Sequence, residues 1–183
     1  LKNTHSQTLM YAKWLIFLFL LVVMSHPAIS LSITEVMFNP SGSDSDREWV
    51  EVFNNDSGAV NLSGWKLNTA GVDHSLVQNG SNLIVQPGAY AVIVKDASAF
   101  LADYPNVSHV IDSSWSDLSN SAPKPIWLKN SSVIFDNVTY SLAGEANSSC
   151  LVNGSFADCG PTPGAVNLVN DTANNATGGG SYT

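Results

Sequence analysis

The sequence predicts an all-β fold: an antiparallel β-sandwich with one short helix. Three observations lead there. Runs of β-branched and aromatic residues are short and alternate with polar residues. Turn signals recur about every 8–12 residues. Only one stretch, 97–103 behind Asp96, reads as helix.

The elements follow in order. Residues 31–38 form the first strand, closed by Asn39-Pro40, and a polar turn runs over 39–47. Residues 48–54, from Glu48 to Asn54, are the best-patterned strand, and Asn55-Asp56-Ser57-Gly58 stops it. Alternation places Val50 and Val52 on one face, and Trp49, Glu51 and Phe53 on the other. The valines suit the space between two sheets. A plain solvent face needs no Trp49 and Phe53, so Glu51 is expected to accept hydrogen bonds from a loop that covers them. Residues 61–68 are the third strand, and 72–77 and 83–85 are weaker ones around an Asn79-Gly80 turn signal. Residues 89–95 are nearly all apolar, as in a central strand buried on both faces. Asp96 caps the helix and Pro105 stops it. Strands at 107–111, 127–128, 133–135, 138–142 and 150–152 complete the set. One domain over 31–167 is expected, followed by an Asn/Thr/Gly-rich tail or linker over 168–183.

Residues 1–30 read as a signal peptide. Trp14 to Met24 are eleven apolar residues without a charge, short for a span of roughly 20 but right for a signal core. Lys13 precedes them, and Ala28-Ile29-Ser30 offers small residues for cleavage before Leu31. An uncleaved signal anchor is the alternative, and Met10 is a candidate start. Beyond position 30 there are five basic residues and fifteen acidic ones, a net charge of −10. Such a chain repels phosphate backbones, so nucleic acid is not expected as a partner.

Export suits the cysteines. Cys150 and Cys159 are the two in the chain, and in an exported protein they are expected to form one disulfide. A metal site there lacks partners. Export also suits the ten Asn-x-Ser/Thr sequons, at Asn55, Asn61, Asn79, Asn106, Asn130, Asn137, Asn147, Asn153, Asn170 and Asn175. Their use would point to an archaeal or eukaryotic source.

Residues 33–40, then 48–54, then Leu62-Ser63-Gly64-Trp65-Lys66-Leu67 resemble the lamin tail domain. So do 87–94, Leu118-Ser119-Asn120-Ser121, Ile126-Trp127-Leu128, 134–140 and the closing 160–167. The resemblance spans 31–167 in order. It implies an immunoglobulin-like β-sandwich of the secreted prokaryotic, archaeal type, a module not known as a catalyst. A signal sequence and an acidic balance set this chain apart from the nuclear form, so chromatin binding is not expected.

No constellation in the sequence promises catalysis. In Asp73-His74-Ser75, alternation turns His74 away from its neighbours. His109 stands alone. Asp44, Asp46 and Glu48 form a weak calcium candidate, since carboxylates two apart can share a hard cation; a solvated acidic turn explains them as well. No other cofactor is expected. Trp49, Trp65 and Trp127 are expected in the core. Trp115, within a polar loop, is a candidate ligand contact or a plug over the sandwich end. The expectation is a secreted, non-catalytic module that binds or scaffolds a cell-surface protein or glycan. The alternatives are a carbohydrate-binding module or the accessory domain of a larger secreted enzyme.

Overall fold

A computed structural model describes residues 31–131 and 133–168. The signal-peptide reading, the tail beyond Leu168, and the sequons at Asn170 and Asn175 lie outside the described residues.

The strands are β1 (Leu31–Met37), β2 (Trp49–Asn54), β3 (Val60–Asn61), β4 (Trp65–Thr69), β5 (Val72–Ser75), β6 (Val77–Gln78), β7 (Ile84–Val85) and β8 (Tyr90–Val94). Helix α1 (Ala97–Asp103) follows, then β9 (Val110–Asp112), β10 (Pro125–Asn130), β11 (Val133–Thr139), β12 (Ser148–Val152) and β13 (Ser155–Cys159). The large sheet has the order β13-β12-β1-β2-β8-β9-β6, the small sheet β11-β10-β4-β5, and β3 pairs with β7. All pairs are antiparallel except β8 with β9. A parallel pair needs a crossover, and α1 supplies it. Asp96 caps α1 as expected, accepting from the Ala99 amide at 2.8 Å.

Two apolar layers result. Between the sheets lie Ile33, Val50, Val52 and Ile93 of the large sheet and Leu67, Ile126 and Leu128 of the small one. On the outer face of the large sheet, Met37, Trp49, Val92, Val94 and Val110 pack under Ala97 and Phe100 of α1. Strand β8 is therefore buried on both faces, as its unbroken apolar run requires.

Several boundaries differ from the sequence reading. The third strand is two, β3 and β4, because the chain turns at Gly64, which has φ +79°. Residues 72–77 pass from one sheet to the other: β5 pairs with β4, Leu76 is buried, and β6 pairs with β9. The predicted piece at 133–135 and the start of the one at 138–142 form one strand, β11, which ends at Thr139 rather than at Leu142. Strand β9 begins at Val110 rather than Val107. A further strand, β13, follows Asn153-Gly154, whose φ values of 51° and 83° suit a tight hairpin.

Candidate functional site

Three glutamates without solvent exposure dominate the polar interior: Glu35, Glu48 and Glu51. Burying a carboxyl is costly unless its oxygens find donors, and each of the three finds them on a crossing segment.

Glu48 precedes β2. Its Oε2 accepts from the Trp115 indole N–H at 2.8 Å, and its Oε1 accepts from the Leu118 amide at 2.7 Å. It thus pins the loop over 113–124 across one end of the sandwich. Tyr140 fastens the same loop. Its hydroxyl donates to the Ser119 carbonyl at 2.9 Å and accepts from the Ser119 amide at 3.0 Å. Burial pushes the Glu48 carboxyl up to about 7, although the bonds from Trp115 and Leu118 pull it down.

Glu35 and Glu51 hold the closing segment, 160–167, on the outer face of the large sheet. Glu35 accepts from the Thr162 amide at 3.0 Å and the Thr162 hydroxyl at 2.8 Å. Glu51 accepts from the Gly164 amide at 2.7 Å and the Thr34 hydroxyl at 2.7 Å. Asn167 completes the strap by donating to the carbonyl of Thr34 at 2.8 Å. The Cys150–Cys159 disulfide, as expected, staples β12 to β13 just before the strap starts. The strap is the segment that bonds Glu51, but it is not the expected cover for the aromatics: Trp49 lies under α1 and Tyr104, and Phe53 packs against Tyr90.

The role of Glu35 was hidden in the sequence. Simple alternation would send it inward with Leu31 and Ile33. A bulge between Ile33 and Glu35 shifts the register, so Glu35 turns outward while Val36 and Phe38 return to the core. The Ile33 amide freed there donates to Asp136 of β11 at 2.6 Å and ties the two sheets together.

The other candidates separate. Asp44 accepts from Asn120 at 2.5 Å and Asp46 from Ser45 at 3.2 Å, both in the exposed turn. Glu48 is buried away from them, so the three do not form a calcium site. Among the described residues, the one close group of ligand-type side chains is Glu35 with Cys150 and Cys159, whose sulfurs are bonded to each other. Trp115 is only 6% exposed and bound to Glu48; it is the plug, not a ligand contact. Trp49 and Trp65 are buried, but Trp127 is half-buried on the outward face of the small sheet, where neighbouring Ile126 and Leu128 point inward. That placement corrects the core assignment of Trp127.

Two hollows flank the β5–β6 crossing. One, of about 160 Å³, is lined by Thr69, His74, Leu118, Lys124 and Tyr140. The other, of about 530 Å³, is a wide cleft lined by Asp73, His74, Lys95, Asp96 and Asp112. Neither assembles a nucleophile with a base. Asp73 pairs with Lys129 at 2.8 Å. His74 lies 3.0 Å from the Thr69 hydroxyl. Ser75 accepts from Lys66 at 2.7 Å. Burial lowers the His74 pKa, which favours the neutral ring. His109 lies 2.9 Å from the Asn82 carbonyl. Lys95 pairs with Asp117.

With this architecture in place, comparison with known proteins is decisive for the family. The family model of the Lamin Tail Domain matches residues 25–142, well over half of the chain. The chain belongs to the lamin tail domain family. No curated protein and no solved structure matches it. In this lamin tail domain, β12, β13 and the strap follow the matched span, yet β12 and β13 complete the large sheet and the strap covers its outer face. Lamin tail domains are generally non-catalytic immunoglobulin-like modules, and the two-sheet architecture here is of that kind.

Proposed function

We propose that this lamin tail domain is a secreted, non-catalytic module that binds or scaffolds a protein partner at the cell surface or in the extracellular space. One observation carries the non-catalytic reading. The side chains best suited to chemistry are engaged in holding segments of the fold: Glu35, Glu48 and Glu51 bind crossing loops, and Asp73, His74 and Ser75 each bind a different neighbour. The signal-like pattern over 1–30 and the disulfide support secretion. So do the sequons. Asn55, Asn61, Asn79, Asn106, Asn130, Asn137 and Asn153 are exposed, while Asn147 is half-buried and donates to Asp158 at 2.7 Å. The acidic balance disfavours nucleic acid. The test is capture from envelope extract with the chain from Leu31 onward, followed by binding of the purified captured component. Failure to enrich any envelope component retires the reading.

A second reading, carbohydrate binding, rests on Trp127, which is half-buried on an outward sheet face and could stack on a sugar ring. Glycan binding that survives Trp127→Ala removes it.

A further inference from the structure

Glu35 and Glu51 stand directly opposite each other in the ladder between β1 and β2. Directly opposed residues on one sheet face hold their Cβ atoms about 4.5–5.5 Å apart, and like charges there repel. Both carboxyls are fully buried, and both bind the strap, one through Thr162 and one through Gly164. No lysine, arginine or histidine among the described residues bonds to either of them. Tyr90 of β8 faces Glu51, Tyr104 after α1 faces Glu35, and Ser148 of β12 lies beside Glu35. Arg47 and Asp103, near Tyr104, pair with each other at 2.7 Å. The disulfide does not titrate, and residues 160–168 carry no charge.

Two buried carboxylates side by side without a cation cannot both stay ionised in a closed, dry site. We propose that Glu35 and Glu51 share one proton in the folded domain, which makes the strap over 160–167 a proton-dependent latch. The latch is closed while the pair holds its proton. When that proton leaves to solvent, two adjacent anions remain, and only water can relieve them, so the strap lifts. The titration of the pair agrees with this geometry. Burial pushes Glu35 above the ordinary 4.5 and Glu51 up to about 8, and for Glu51 the charge of Glu35 adds to the rise. Closure is therefore fully favoured below about pH 4.5 and is lost as pH rises through about 8.

The chain has four glutamates, Glu35, Glu48, Glu51 and Glu145, so carboxyl-carbon NMR of the whole protein resolves each titration. The Glu35 and Glu51 signals should move together in two steps, the second above pH 7. The Thr162 and Gly164 amides should follow the second step. Protease cleavage within the strap, corrected against an unstructured peptide, should rise with it. In Glu51→Gln the titration of Glu35 should fall, and the strap should stay protected at high pH; Glu35→Gln should do the reciprocal. Both glutamates titrating near the ordinary value in the unaltered protein would overturn the proposal, with no variant needed. So would a Glu35 titration unchanged by Glu51→Gln. A shift of these signals on adding calcium or chelator would put a cation in place of the proton and overturn it as well.

Discussion

The Trp115 indole N–H donates to Oε2 of Glu48 at 2.8 Å, across sixty-seven positions of sequence. This bond makes a loop tryptophan part of the fold. Trp115→Phe keeps a ring but leaves a buried carboxyl oxygen without its donor, which should cost about 1–3 kcal/mol. Trp115→Ala also loses packing and should cost about 3–5 kcal/mol. Urea unfolding measures both, and an alanine variant as stable as its parent contradicts the plug.

The pH response of Glu48 has a definite sign. An unfolded glutamate titrates near 4.5, and the folded Glu48 near 7. The folded form thus binds the extra proton between these values, so its contribution is full below about pH 4.5 and fades as pH rises through 7. Melting temperature should fall from pH 5 to pH 8, and Glu48→Gln should flatten part of that slope. An identical slope in the variant would show that Glu48 is not responsible.

Calcium should leave the melting temperature unchanged. Both oxygens of Glu48 already accept bonds, and Asp44 and Asp46 alone offer too few ligands for a cation that takes six to eight oxygens. Melts with calcium and with chelator should coincide; a calcium-dependent rise would restore the site.

Trp49→Ala should unfold the domain. Trp49 has no exposure and meets Phe100 and Tyr104 edge-on, at centroid distances of 6.1 and 6.0 Å. The loss, about 3–5 kcal/mol, strikes the layer that joins α1 to the sheet. A well-folded alanine variant that loses only partner binding would assign Trp49 to recognition instead.

Reduction of Cys150–Cys159 should destabilise without unfolding. The two cysteines are nine positions apart, and a closed loop that small contributes about 2–3 kcal/mol in the chain-entropy account. The Cys150→Ser/Cys159→Ser variant should show a matching loss in urea. No difference would mean that the hairpin holds itself.

Much of the fold was legible because single-residue periodicity reports which face is buried. Val50 and Val52 pointed inward, residues 89–95 read as a central strand, and Asp96 announced its helix. What failed was what periodicity cannot carry. A bulge reverses alternation, so nothing in the pattern of β1 marks Glu35 as an outer-face residue. A strand that changes sheets, as at Leu76, shows one unbroken pattern to a reader of sequence. That Glu51 would accept bonds from some loop could be foreseen from its aromatic neighbours, but neither Gly164 as its partner nor Trp115 as the partner of Glu48 could, since nothing local links residues so far apart.

The order β13-β12-β1 at one side of the large sheet bears on how the chain folds. Glu35 pairs with Cys150, and Val36 with Ser149, so the first strand waits for almost the last. Until the C-terminal hairpin arrives, β1 has an open edge, the kind of surface on which chains aggregate. Such distant pairings also slow folding, because a long loop must close before any contact rewards it. The C-terminal hairpin thus closes the longest-range pairing of the large sheet, and in a polypeptide stopped at Leu142 the edge of β1 at Glu35 and Val36 would stay open.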